Sequence, residues 1–300
     1  DAMPFMGDGL DGRGRPNHDG DFPEELPPWI VPLKSPKRNG GTLYLVGTTH
    51  VSELSKNRVQ QAIRTVCPNL VMLELCKKRK HILSNDWNPS DSRSSSSLSV
   101  CQNICKLSLS GHGDVAILSF LLSRFMQRIS DDMNTTPGGE FRAAAIEARR
   151  QRASLILGDR DFSVTLQRMW AALPMCDRVA LCWQLFYGAY VSRGEHRSTT
   201  FTSASSIQWM TKRFPRMIKP LLSERDAYMA HVLRYFVDQG ETVVAVVGDA
   251  HVEGICNRWG QDVDVKRLLE VPQRGGLFQN LLILLLIVLS AMLLVVLYRY

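Results

Sequence analysis

The sequence predicts an α/β domain with a mainly parallel central sheet flanked by helices. Two stretches far apart in the chain, residues 43–51 (LYLVGTTHV) and 243–252 (VVAVVGDAHV), have the same pattern of buried strand, Gly, two residues, His and Val. A third apolar run, residues 70–75, follows the first after a helical pattern. A strand–helix–strand unit of this length forms a parallel pair with a right-handed crossover.

The elements follow one another with clear boundaries. The first strand is predicted at residues 42–47, and the next helix starts near Ser52 or Ser55, either of which is a suitable cap, and runs to about Val66. The later boundaries come from apolar periodicity and from Gly and Pro breaks. They predict a strand at 154–157 and helices at 114–129, 140–152, 162–172, 177–190 and 223–239.

The chain is predicted to have three parts and one loop. Residues 1–39 are rich in Pro, Gly and acidic residues, which predicts a disordered arm, although Trp29, Ile30 and Val31 are suited to dock on the domain edge. Residues 40–272 form the folded domain. Within them, a Ser-rich stretch at about 85–113 is expected to be an exposed loop.

Residues 277–298 (LFQNLLILLLIVLSAMLLVVLY) predict one transmembrane helix. The stretch carries no charge from Leu281 to Leu297, and its length suits a ~30 Å hydrocarbon core. It is apolar all round, which is not typical of an amphipathic surface helix. The beginning of the sequence has no signal-peptide pattern, so we expect a tail anchor with the domain facing the cytosol.

Composition limits the classes of partner. The net charge of +7 suits an anionic membrane surface or nucleic acid, but the basic residues are scattered, with no zinc-finger or RNA-binding signature. We therefore expect no nucleic-acid partner. The seven cysteines contain no Cys-x-x-Cys pair, which is typical of small buried residues in a reducing compartment.

His50 and His251 are the first candidate functional residues. Each follows a strand that ends in Gly, and open α/β sheets place ligands at the carboxyl ends of their strands. A single histidine in this position is usually a packing residue. Two in matching contexts favour a shared site.

Glu74 is the second candidate, because it ends an apolar strand. Alternation along the strand allows it to face solvent, but strands of a parallel sheet are buried on both faces. A buried carboxylate needs a cation or a metal. Arg79, five residues later, is one candidate partner.

Two later segments add polar candidates. Asp159 and Arg160 follow the Gly that ends the strand at 154–157, as the two histidines follow theirs. Ser223 and Asp226 resemble a capping box, which would explain the neighbouring acidic residues without chemistry. Glu224 lies at helical spacing with Tyr228, His231 and Tyr235, a polar face that suits either solvent or a site.

These residue types suggest two chemistries. Two histidines and a carboxylate are a ligand set for Zn²⁺, Mn²⁺ or Co²⁺, and the bound metal would activate water while a further Glu acts as general base. Alternatively, one histidine acts as general base and an arginine binds an anionic substrate. A local zinc motif such as His-Glu-x-x-His is absent from the sequence.

Six motifs in order resemble the TraB/PrgY family, specifically its eukaryotic TraB-domain members. They are Gly47-Thr48-Thr49-His50-Val51-Ser52, Glu74-Leu75-Cys76-x-x-Arg79, Gly138-Gly139-Glu140, Gly158-Asp159-Arg160, Glu224-Arg225-Asp226 and Gly248-x-x-His251-x-x-Gly254-Ile255. The family is related to the Tiki metalloproteases and to erythromycin-esterase-like and ChaN-like proteins. The resemblance implies the α/β fold of those proteins, with a cleft shared by the two Gly-x-x-His motifs and a glutamate.

The resemblance also implies site residues and a metal. His50, His251 and Glu224 would bind Mn²⁺ or Co²⁺, with Zn²⁺ as a further option, and Glu74 and Arg79 would lie beside them. Arg160 and Arg225 complete the candidate catalytic set. Asp161 follows Arg160 where the family pattern has Pro, which affects the next turn.

Two functions follow from these expectations. The first is a tail-anchored, metal-dependent hydrolase, with a peptide as the candidate substrate. The second is a membrane-tethered regulator or adaptor of mitochondrial or endoplasmic-reticulum dynamics that binds protein partners at the organelle surface. The mitochondrial outer membrane is the expected location, and the endoplasmic reticulum is the alternative.

Overall fold

The computed structural model describes residues 26–49, 53–84, 113–132, 138–191 and 212–271. Its centre is a five-stranded sheet with the order β1-β2-β5-β3-β4. Only the β1–β2 pair is antiparallel, and the other three pairs are parallel. The strands are β1 (Ile30–Lys34), β2 (Thr42–Thr48), β3 (Leu70–Leu73), β4 (Ser154–Leu157) and β5 (Val243–Gly248).

The first six helices match the predicted segments to within a few residues, and the last two were not predicted. The helices are α1 (Glu53–Val66), α2 (Gly113–Asp132), α3 (Gly139–Arg150), α4 (Phe162–Ala172), α5 (Met175–Phe186), α6 (Glu224–Val237), α7 (Asp249–Arg258) and α8 (Val265–Leu269). A 3-10 helix occupies Lys77–Leu83. The helix predicted at 177–190 ends earlier and continues as a π-helical turn at Tyr187–Val191.

The described residues form two compact units where one domain was predicted over 40–272. The sheet unit lies within Asp1–Trp87, Pro137–Thr165 and Lys219–Glu270. The second unit is helical and contains α2, α5 and most of α4. Within it, Phe125 packs against Gly188 and Arg128 donates a hydrogen bond to the Ala189 carbonyl at 3.1 Å.

The two faces of the sheet bury separate apolar clusters because side chains alternate along each strand. Tyr44 and Val46 point to the face covered by α1 and α3, whereas Leu43 and Leu45 point to the face covered by α6 and α7. Nearly every residue of β2, β3 and β5 is buried, as expected for strands covered on both sides.

Part of the predicted disordered arm is ordered. Residues 30–34 form β1, which pairs antiparallel with β2, and Ile30 is buried in the cluster beneath α1. The apolar segment around Trp29 therefore lies at the edge of the sheet, where it was predicted to dock. Pro32 fits this position because an edge strand needs no donor on its outer side.

The sheet changes winding direction between β2 and β5. After β2 the chain enters α1 on one face, and after β5 it enters α7 on the other. The two strands are parallel neighbours in register, so Thr48 pairs with Gly248. Such a point leaves a crevice at the carboxyl ends of the strands, where open α/β sheets bind ligands.

Several predictions lie outside the described residues. They concern His50, Ser52, the Ser-rich loop at about 85–113 and the transmembrane helix at 277–298. Within the described part of the chain, no helix is both long and apolar enough to cross a membrane.

Candidate functional site

Glu74 stands at the centre of a polar cluster at the carboxyl edge of the sheet. It directly follows β3 and is buried. Its Oε2 accepts a hydrogen bond from the Gly248 backbone N–H at 2.7 Å, and its Oε1 lies 3.1 Å from His251 Nε2. Arg225 Nη2 also donates to Oε1. The buried carboxylate thus has its predicted cation, but the cation is Arg225.

Arg225 joins three groups of the cluster. Its Nε and Nη2 donate to both oxygens of Asp159, at 2.9 Å for Nη2 to Oδ2 and 3.1 Å for Nε to Oδ1. Its Nη1 lies 3.1 Å from His251 Nε2. Burial lowers the pKa of Arg225, but Asp159 and Glu74 raise it more, so that the net shift is upward.

His251 lies in the first turn of α7 and is held from both sides. Its Nδ1 is 2.5 Å from Asp226 Oδ1, and its Nε2 faces Glu74. Burial lowers its pKa, whereas the hydrogen bonds to Asp226 and Glu74 raise it, and the result is a pKa of about 9. At neutral pH the imidazole is therefore protonated and donates from both nitrogens.

The contacts of His251 Nε2 suit two protonation states. A protonated Nε2 donates to Glu74 Oε1, and Arg225 Nη1 is then an unfavourable neighbour because both atoms are donors. An unprotonated Nε2 instead accepts from Arg225 Nη1. The cluster therefore has a hydrogen-bond partner for this nitrogen before and after loss of its proton.

Asp226 fixes the orientation of His251. Its carboxyl is buried, and burial raises its pKa, although His251 acts in the opposite direction. Gly254, one turn along α7, makes room for it, because a Cβ there would lie 2.0 Å from Asp226 Oδ2. A carboxylate on Nδ1 sets which ring nitrogen faces the site.

Glu224 and Arg160 form a second buried pair. Arg160 Nη1 is 3.0 Å from Glu224 Oε2, and the Arg160 side chain is fully buried. The same guanidinium donates to Thr165 Oγ1 and to the carbonyls of Pro220 and Leu268. Glu224 is therefore neutralised by an arginine.

The structure brings most of the predicted site residues to one edge. Glu74, Arg160, Glu224, Arg225 and His251 all lie there. The guanidinium of Arg79 instead lies 5.9 Å from the Phe162 ring centroid, and His231 is exposed.

The predicted capping box at Ser223 does not form. Ser223 has α-helical dihedrals and makes no side-chain capping bond, because a π-helical turn at Lys219–Ser223 runs directly into α6. Asp226 is thereby free to face His251.

The described residues do not fit a divalent metal ion. The two atoms that would serve best, His251 Nε2 and Glu74 Oε1, are both in contact with Arg225, whose guanidinium takes the place that a second cation would need. Within the described ranges no three metal-ligating side chains form a set. The predicted metal depends on His50, outside those ranges, and stays a prediction.

Sequence reasoning missed the role of Asp226 and left Asp159 without one. Asp226 was assigned to helix capping, and its distance from His251 in the chain concealed the pair. Gly254, three residues after His251, was a signal that could have revealed the pair. A glycine on a polar helix face leaves room for a side chain from another segment of the chain. Asp159 carried the same strand–Gly signal as Arg160.

Comparison with known proteins finds a family match over most of the chain. The model of the TraB/PrgY/gumN family matches residues 33–261. A TraB domain-containing protein of Bos taurus is 31% identical over 280 residues, covering 87% of this chain and 71% of its own length. A human TraB domain-containing protein is 30% identical over 282 residues with the same coverage.

A more distant relative comes from an archaeon. An uncharacterized protein of Methanocaldococcus jannaschii is 25% identical over 250 residues, which is 80% of this chain and 60% of that protein. The family match spans strands β2 to β5 and every residue of the cluster around Glu74, and it confirms the resemblance drawn from the motifs. The chain is a member of the TraB/PrgY/gumN family.

Proposed function

We propose that this protein is a hydrolase in which His251 transfers a proton and that a membrane span at residues 277–298 anchors it. The observation that carries the proposal is the environment of His251 Nε2, which has Glu74 Oε1 at 3.1 Å and Arg225 Nη1 at 3.1 Å. A group that must gain and lose a proton in each cycle needs stabilisation in both states.

The proposed cycle of acid–base hydrolysis uses the chain's own residues. Protonated His251 donates its Nε2 proton to the leaving atom of the substrate, and the neutral ring then accepts from Arg225. Glu74 takes the proton of the attacking water and returns it to Nε2. Asp226 keeps the ring oriented throughout by holding Nδ1.

The role of His251 as a general acid can be tested by activity and its pH dependence. The full chain in detergent micelles would be screened with quenched peptides and aryl esters. His251→Asn is expected to lower kcat by about 10²–10⁴-fold. In the wild type, kcat should fall as pH rises through about 9, because the acid form of His251 is lost.

Two further variants sharpen this test. Asp226→Asn should keep the fold but lower kcat, since the ring loses its fixed orientation. His231→Asn replaces an exposed histidine of α6 and should retain full activity. Equal activity of His251→Asn and the wild type on every substrate cleaved would refute the proposal.

The metal prediction is tested in parallel. We expect the full chain to keep its activity after dialysis against a chelator, because Arg225 already neutralises Glu74 and Asp159. Near-stoichiometric Mn²⁺, Co²⁺ or Zn²⁺ that disappears in the His50→Ala/His251→Ala variant would instead support the metal-dependent hydrolase.

A membrane-tethered adaptor is the second candidate. It is favoured by the burial of the cluster, since only about 5% of the His251 side chain is exposed and each carboxylate has a cationic partner. If the protein is an adaptor, His251→Asn would lower the free energy of unfolding, and neither the wild type nor the variant would hydrolyse the substrates. Imaging of the full chain would decide between the mitochondrial outer membrane and the endoplasmic reticulum.

A further inference from the structure

One run of basic residues stands out from the scattered charges of the chain. Lys77, Lys78, Arg79 and Lys80 follow one another, and His81 comes next. They begin the 3-10 helix Lys77–Leu83, and all except Arg79 are exposed. Residues 77–81 are called the basic segment below.

The basic segment is fixed at the carboxyl edge of the sheet. It starts four residues after the end of β3. Lys78 Nζ lies 2.8 Å from Asp161 Oδ2 and 3.3 Å from Ser163 Oγ, at the start of α4. Arg79 lies over the ring of Phe162. These contacts hold the segment against residues 161–163.

The end of the sheet unit lies at the same edge. Arg160, the residue before Asp161, donates from Nη1 to the carbonyl of Leu268 at 3.0 Å. Leu268 belongs to α8, the last helix of that unit. Six residues separate Glu270 from Leu277, where the proposed span begins, and they reach at most ~25 Å when fully extended.

An exposed apolar side chain accompanies the charges. Leu54, in the first turn of α1, follows the carboxyl end of β2 and is 57% exposed. Exposed lysines and an exposed leucine at one edge of a domain are typical of surfaces that touch lipid, because the charges bind anionic headgroups and the apolar group enters the boundary below them.

We propose that the basic segment docks the sheet unit on the anionic headgroups of the membrane in which residues 277–298 are anchored. The inference rests on the proposed anchoring, since the short connection from α8 is what brings this edge to the bilayer. It gives the domain a defined orientation, with the carboxyl edge and its polar cluster toward the lipid.

A membrane fits these observations better than another macromolecule. An acidic polypeptide or RNA would need only the charges, whereas the lipid surface also accounts for Leu54 and for the position of α8. Each lysine close to an anionic surface strengthens binding by about five-fold. Removal of two should therefore weaken docking by roughly twenty-five-fold.

The test uses the full chain in nanodiscs of phosphatidylcholine alone or with phosphatidylserine. Hydrogen–deuterium exchange of the backbone amides at residues 77–84 reports docking. We expect slower exchange with phosphatidylserine, and loss of this difference in 1 M salt and in the Lys77→Gln/Lys80→Gln variant. The matched control is Arg38→Gln/Arg149→Gln, two exposed arginines near the opposite edge, which should behave like the wild type.

The outcomes separate docking from anchoring. Retention of the chain on liposomes after an alkaline wash tests the anchor alone. A retained chain whose exchange is equal in both lipids overturns the docking proposal and leaves the anchor intact. Protection by an acidic peptide or RNA in neutral lipid, with none from phosphatidylserine, would also overturn it. Phosphatidylserine-dependent protection without retention would support docking and refute the anchor.

Discussion

At the scale of single residues, the chemistry of the site depends on partners that are distant in the chain. His251 could be predicted from its position after β5, since the strand–Gly–x–x–His pattern is local. Its partners come from two other places, Arg225 and Asp226 from the start of α6 and Glu74 from the end of β3, and their contacts arise only when α6 packs on the sheet. No local pattern predicts such a set, so the sequence suggested Arg79 for Glu74 instead.

The raised pKa of His251 predicts a pH-dependent stability. The folded value of about 9 lies above the ordinary 6.5, so protonation favours the folded state. The stabilisation is complete below about pH 6.5 and disappears as pH rises through 9. By linkage the shift corresponds to about 3 kcal/mol.

Denaturant unfolding of the full chain in micelles at pH 6 and pH 10 would measure this contribution. The free energy of unfolding of the wild type should exceed that of His251→Asn by about 3 kcal/mol more at pH 6 than at pH 10. His231→Asn should follow the wild type at both values. If the difference in unfolding free energy between the wild type and His251→Asn is the same at both pH values, His251 is not protonated in the folded protein as predicted.

At the scale of elements, boundaries were predictable and contacts between elements were not. The strand at Ser154–Leu157 and the helix at Phe162–Ala172 match their predicted ends because apolar period and Gly breaks are local signals. The prediction of a capping box at Ser223 was wrong, because a π-helical turn runs directly into α6 and no helix begins at Ser223. Arg160 shows the same limit, since its bonds connect the β4–α4 turn to α6 and α8.

The buried ion pair between Arg160 and Glu224 predicts a large effect on stability. Arg160→Met should destabilise the protein by about 3–5 kcal/mol, because Glu224 would remain buried without its cation. The double variant Arg160→Met/Glu224→Leu should recover part of that loss by removing both charges. Denaturant unfolding of the four members of the cycle measures the coupling energy. Additive effects of the two substitutions would show that the pair does not couple.

At the scale of the whole molecule, the repeated strand–Gly–x–x–His pattern marks the two central neighbours of the sheet, although the sequence predicted only a shared site for the two histidines. The two strands that carry the pattern are parallel neighbours, and the winding of the sheet reverses between them. The sequence also predicted the class of fold, since buried runs and a strand–helix–strand unit leave few alternatives. The division into two units was not predicted, because helical segments inserted between sheet elements carry the same apolar period as helices that cover the sheet.

The composition of residues 277–298 predicts a membrane span, and we expect this span to determine where the whole chain lies in cells. Leu286→Arg/Leu289→Arg places two charges near the middle of the stretch, where each costs about 2.5–3.5 kcal/mol of insertion free energy. The variant should leave membranes during alkaline carbonate extraction, whereas the wild type should stay.

The matched control, Gln279→Arg/Asn280→Arg, adds the same charge at the flank of the stretch, where arginine reaches the interface, and should also stay in the membrane. Extraction of the wild type together with the central variant would refute the span, whereas retention of both would show that other parts of the chain bind the membrane.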